Sequence, residues 1–169
     1  MTALPFITEA NVRASKASAR SPYPHMSAHD VVVWDAFLAL HNVTFTSLAY
    51  DVAVGGRLAD AVADEAADKP MWVSLLKKRI DVVMQRANEV WTFEVKPTAN
   101  MSALGQALTY ANLWKIEGRT ALAVRPVIVC HRIDLDVEVI LPLYGVLAFA
   151  VQPLGPGASV LEKQVGAFV

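Results

Sequence analysis

The chain has 169 residues, of which 54% are hydrophobic and 18% charged, and its formal net charge is −1. This length suits one domain with a sizeable core; the apolar content excludes global disorder, and the near-zero charge excludes a protein that is basic all over. A single cysteine, Cys130, excludes an internal disulfide framework and a cysteine-rich zinc site, and points to a reducing compartment such as the cytoplasm.

The longest apolar run, 139–151, contains Pro142 and Gly145 and falls short of the roughly 20 residues a membrane-spanning helix needs. The N-terminal stretch lacks the basic-then-apolar order of a signal peptide. Charge is unevenly spread. Residues 1–76 carry 5 Lys and Arg against 8 Asp and Glu, residues 77–132 carry 9 against 4, and residues 133–169 carry 1 against 4. The middle segment is where a polyanion would be held. Taken by charge alone, Lys77, Lys78, Arg79, Arg119 and Arg132 read rather as ordinary solvated surface charges.

Residues 1–28, rich in Ser, Ala and Pro with spaced Arg13, Lys16 and Arg20, read as a flexible N-terminal arm. A helix is expected over 29–40, capped by Ser27 or Asp30, with Val32, Val33, Ala36, Phe37 and Leu40 as its apolar stripe. Residues 43–54 read as a strand stopped by Gly55-Gly56, and 57–69 as a short exposed helix before Pro70. Two strands follow, 79–85 and 90–96, flanking the hairpin loop 86–89 and ending at Pro97. A second helix spans 101–117, capped by Asn100 or Ser102 and stopped by Gly118. Residues 122–130 read as a strand interrupted by Pro126. Asp134 or Asp136 starts a short helix ending near Pro142, and 145–151 form a last buried strand. The tail, 152–169, is broken by Gly and Pro, and its closing apolar residues are expected to dock on this chain or on a partner, as in a homo-oligomer or assembly contact. The order predicts an α/β sandwich: a central mixed β-sheet flanked by helices, built from residues 29–151.

Side chains alternate across strands, so Ile80, Val82 and Met84 share one face of the first hairpin strand, and Arg79, Asp81, Val83 and Gln85 the other. In the second, Trp91, Phe93 and Val95 oppose Val90, Thr92, Glu94 and Lys96. A two-residue loop (87–88) and a four-residue loop (86–89) both place Asp81 opposite Glu94 and Arg79 opposite Lys96. Opposed carboxylates repel. A divalent cation removes the repulsion, and oxygen ligands suit Mg²⁺. A lysine on the same face adds positive charge for a phosphate.

Asp81, then Glu94-Val95-Lys96 across a hairpin, then Gln106 and Tyr110 one turn apart on the next helix resemble the PD-(D/E)XK nuclease superfamily, the QxxxY element its RecB-like branch. The resemblance covers about residues 29–151, and its specific part is 81–110. It implies a restriction-endonuclease-like fold and hydrolysis of phosphodiester bonds with Mg²⁺ or Mn²⁺, in DNA rather than RNA. It implies that Asp81 and Glu94 bind the metal with help from the Val95 carbonyl. Lys96 would assist the attacking water, and Gln106 and Tyr110 would face the site. An acidic residue of the first helix, Asp30 or Asp35, is the further candidate. The family's proline before the first aspartate is Ile80 here. Lys77, Lys78 and Arg79 are the expected substrate-binding residues. The alternative is a non-catalytic structural or binding protein that retains the fold, such as a phage or mobile-element component associated with a virion; a third reading is a toxin or defence nuclease that needs a partner. His25, His29 and His41 have no metal-ligand spacing, and Cys130-His131 reads as a core cysteine beside an edge histidine.

Overall fold

The computed structural model describes residues 23–41, 43–56, 76–152 and the strand 163–165. The expected helix at 57–69, most of the N-terminal arm and most of the tail lie outside the described residues. The elements are α1 (Ala28–Leu40), β1 (Ser47–Val54), β2 (Lys78–Gln85), β3 (Glu89–Val95), β4 (Thr98–Ala99), α2 (Met101–Ile116), β5 (Ala123–Cys130), β6 (Arg132–Ile133), α3 (Leu135–Ile140), a 3₁₀ turn (Leu141–Tyr144), β7 (Leu147–Ala150) and β8 (Lys163–Val165). No described helix is long and apolar enough to cross a membrane.

Six strands form one mixed sheet in the order β1-β2-β3-β5-β7-β8. β1, β2 and β3 run antiparallel to one another, β3, β5 and β7 are parallel, and β8 closes the far edge antiparallel to β7. A parallel step needs a crossover, and α2 supplies the one between β3 and β5. The tail thus places a strand on this chain's own sheet. The short pair β4–β6 forms a second, two-stranded sheet.

The sheet has a different core on each face. Against one lie Val33, Trp34 and Phe37 of α1, packed on Val82, Met84, Trp91, Phe93, Val95, Val127 and Phe149. Trp34, unmarked in the expected stripe, is fully buried, whereas Val32 is 47% exposed. Against the other face, α2 packs Tyr110, Ala111 and Trp114 on Val83 and Val90, while its first half packs Ala103, Leu104 and Ala107 on Ile128, Cys130 and Ala148. Trp91, Phe93 and Cys130 are core residues, as read from the sequence.

α1 and α2 are both capped by short polar side chains. Ser27 Oγ accepts from the Asp30 N–H while Asp30 Oδ2 accepts from the Ser27 N–H, a reciprocal capping box. Asn100 Oδ1 accepts from the Ala103 N–H at the head of α2, and Gly118 takes the left-handed conformation (φ 62°) beyond its end.

Pro126 departs from expectation. β5 runs through it without interruption, pairing Pro126 with Thr92 of β3. The Val129 carbonyl faces β3 and the Cys130 carbonyl faces β7, so by alternation the nitrogen of Pro126 points to the β7 side. The β5–β7 ladder begins only at Val127–Leu147, so the missing N–H falls beyond its end and costs no rung.

Phe37 is fully buried and touches the rings of Trp34, Phe93 and Phe149. We predict that Phe37→Ala lowers unfolding stability by about 3–5 kcal/mol with an unchanged denaturant slope, read from equilibrium denaturation.

Candidate functional site

The β2–β3 hairpin is closed by the Arg86 N–H donating to the Glu89 carbonyl, which selects the two-residue loop Ala87-Asn88. The rungs Val82–Phe93 to Gln85–Val90 keep the expected register, in which the next opposed pair is Asp81 and Glu94. The ladder stops before that pair. In a regular continuation the Val95 N–H would donate to the Ile80 carbonyl. Instead it donates to Asp81 Oδ2 at 2.8 Å. The Asp81 carboxylate is thereby pinned against the strand that carries Glu94, and the Val95 side chain stays in the core. Anything Val95 gives a cation comes from its main chain. Arg79 does not reach the position opposite Lys96; its guanidinium binds both carboxylate oxygens of Asp51.

Among the described residues, the buried polar or charged side chains are Asp30, Thr92 and Glu94. Glu94 is 1% exposed and faces the α2 side of the sheet. Lys96, two residues on, brings Nζ to 3.2 Å from Glu94 Oε1. Among the described residues Oε1 has this ion pair and no hydrogen bond of regular geometry. Burial first, and the Asp81 charge second, push the Glu94 carboxyl up to about 8 against the partial relief given by Lys96. Burial also raises Asp81, opposed by the Val95 N–H and by Lys96. Lys96 is raised too: the Glu94 and Asp81 charges together outweigh its own burial, the largest single influence on it. Among the described residues, two carboxylates thus share one spot with Lys96 as the lysine beside them.

α1 and α2 complete the wall. Asp30, 8% exposed, is near enough for its charge to raise Asp81, Glu94 and Lys96. Asp35 instead accepts from the Tyr23 hydroxyl at 2.8 Å, and its charge acts on Tyr23 and Tyr50. Of the two helix candidates, Asp30 is therefore the one beside the site. From α2, Gln106 Nε2 donates to Tyr110 Oη at 3.2 Å. Burial, then the Glu94 charge, raises the Tyr110 hydroxyl. A recess of about 240 Å³ opens beside Lys96, lined further by Thr98, Asn100, Ser102 and Gln106.

The carboxylates, Lys96, Gln106 and Tyr110 therefore come together. Lys77 is half-buried and Lys78 exposed at the start of β2, and Arg79 is drawn into the Asp51 pair. Arg119 lies over the Trp114 ring and donates to the Ala53 carbonyl, and Arg132 donates to Thr98 Oγ1. Asp51 was not singled out from the sequence, where it falls within the strand expected over 43–54. Its backbone is left-handed (φ 54°), which no feature of the sequence signals. Among the described residues no three His, Cys, Asp or Glu side chains form a ready cage for a metal ion. Two carboxylates completed by water and substrate oxygens are the usual form for Mg²⁺. No family model, curated protein or solved structure matches this chain.

The raised Glu94 carboxyl makes stability fall with pH. Its folded-state value lies above its unfolded one, so its contribution is complete below about 4.5 and is lost as pH rises through about 8. We predict that Glu94→Gln is more thermally stable than wild type at pH 8, and that the advantage vanishes by pH 4.5, read as thermal midpoints across that range.

Proposed function

We propose that this chain is a divalent-metal-dependent nuclease of PD-(D/E)XK type, RecB-like in its QxxxY element, with a restriction-endonuclease-like fold and DNA as its substrate. The observation that carries the reading is Glu94: a buried carboxylate opposed to Asp81, whose Oε1 has the Lys96 ion pair and, among the described residues, no hydrogen bond of regular geometry. A buried, half-satisfied carboxylate costs about 1–3 kcal/mol or more, and a cation offsets that cost. The donor set fits Mg²⁺ or Mn²⁺, held by Asp81 and Glu94 with the Val95 carbonyl. Such a cation supplies Lewis-acid polarisation of a phosphoryl oxygen and lowers the pKa of a water.

The remaining work falls to this chain's own groups. The Lys96 ammonium offsets negative charge that develops on the phosphate and holds the attacking water's oxygen in reach. The Val95 N–H keeps Asp81 from swinging away. Gln106 and Tyr110, bonded to each other, present a polar edge of α2 to the same space. Lys77 and Lys78, at the head of β2, hold flanking phosphates.

The direct test is incubation of wild type with plasmid and with linear DNA, with Mg²⁺, with Mn²⁺ and with chelator. Metal-dependent cleavage is expected; no cleavage of either substrate leaves the non-catalytic binding or structural reading. In the same assay Lys96→Ala lowers the rate by roughly 10²-fold while still binding the metal, because both carboxylates remain. An equally fast variant would show that another constellation does the chemistry. Salt supplies a second test. DNA binding weakens steeply as salt rises, and Lys77→Ala with Lys78→Ala flattens the slope of log affinity against log salt by about 0.9 for each phosphate contact removed.

A further inference from the structure

β2 leaves both of its neighbours at the same residue. On the β3 side the ladder ends just before Asp81. On the β1 side the register is continuous, Tyr50–Val82 and then Val52–Ile80, with the rung Asp51–Asp81 missing between them. No residue is inserted, so this is a local rotation and not a bulge. Its effect is a change of face. Leu48, Tyr50, Val82 and Met84 pack on the α1 side, whereas Val52, Val54 and Ile80 pack with the α2 cluster. Regular alternation would put Ile80 with Val82 and Met84, as the sequence suggests; the rotation at Asp51–Asp81 overturns that.

A residue in the left-handed region holds only where surrounding structure fixes it, and Asp tolerates it better than most. Here the fixing group is Arg79. Its Nε and Nη2 bind the two carboxylate oxygens of Asp51, and Nη2 also donates to the Asp51 carbonyl at 2.9 Å. That carbonyl is the ladder acceptor that the missing rung would have used. His25 Nε2 adds a contact to Asp51 Oδ2 at 3.2 Å.

We infer that Asp51 and Arg79 are positioning residues: their clamp holds the rotation of β1 and β2 that delivers the Asp81 carboxylate to the Val95 N–H and so to Glu94. They act through Asp81 and touch neither metal nor substrate. The sequence offers Arg79 as a phosphate contact; the geometry gives it this different task. The metal part of the inference rests on the proposed nuclease site, whereas the placement of Asp81 does not.

The test uses the full chain with four substitutions. Asp51→Asn keeps both tolerance of the left-handed backbone and an acceptor for Arg79. Asp51→Gly keeps the backbone and removes the clamp, as Arg79→Met does from the other side; Asp81→Ala marks the loss of the acceptor itself. Two readouts are taken: the Val95 amide by ¹⁵N chemical shift and hydrogen exchange without metal, and Mn²⁺ affinity by calorimetry. Asp51→Gly and Arg79→Met are expected to move the Val95 amide toward its Asp81→Ala position and to weaken Mn²⁺ binding by about ten-fold or more, with Asp51→Asn close to wild type on both. A Val95 amide unchanged in folded Asp51→Gly and Arg79→Met, even where the thermal midpoint falls, overturns the inference and leaves the pair a purely structural role. A wild type that binds no Mn²⁺ overturns the nuclease reading instead, and the amide readout still decides the clamp.

Discussion

The N–H of Val95 has a carboxylate for its partner where a regular hairpin would give it a carbonyl. That exchange ends the β2–β3 ladder one rung before Asp81 and Glu94, and it is what frees the end of the hairpin to carry polar chemistry. A ladder continued to Ile80–Val95 would have set two acidic residues face to face in a closed sheet, with nowhere for a third group to enter. By donating its own oxygen to the neighbouring strand, Asp81 satisfies the backbone and opens the sheet in one contact. Lys96 then lies just past the last rung, where β3 has turned its N–H to the Val129 carbonyl of β5.

The two-sided core explains why this opening can be so dry. α1 covers one face with aromatic rings, and α2 covers the other with small residues followed by Tyr110 and Trp114. Small side chains in the first half of α2 let that helix approach the strands closely, and Ala103 and Ala107 flank the Gln106 that looks toward the recess. The capping box of α1 does two things with one residue: Asp30 closes the helix and adds its charge to the site. Acidic charge thus accumulates from β2, β3 and α1 around one lysine. Such crowding of like charge is unfavourable in itself, and a cation would offset it.

Much of this was legible in the residues. The hairpin, its register, the faces of β3 and both principal helices follow from alternation and helical spacing, and capping chemistry narrows their caps to Ser27 or Asp30 and to Asn100 or Ser102. The gathering of Asp81, Glu94 and Lys96 at one place follows from the register alone, because two plausible loops give the same pairing. What stayed hidden depends on one backbone angle. Nothing about Asp51 announces a left-handed conformation, so neither the change of face at Ile80 nor the binding of Arg79 to Asp51 was accessible. Asp30 and Asp35 could not be separated either, because their difference lies in which side of α1 meets the sheet, and Trp34 rather than Val32 decides that. Pro126 misled in the ordinary way: a proline signals a break, and only the offset start of β7 makes it harmless.

That proline has a further consequence for assembly of the sheet. Sliding β7 along β5 by two residues would leave every side chain on its proper face, so the hydrophobic pattern does not forbid it. In one direction the slide would bring β7 alongside Pro126, where a β7 carbonyl would find no donor. Pro126 therefore weighs against that one mis-set pairing: it withholds a hydrogen bond from the strand slid that way and none from the native one. A parallel pair formed across a long connection is the step most exposed to such errors during folding, and here the safeguard resides in a single missing hydrogen on the central strand.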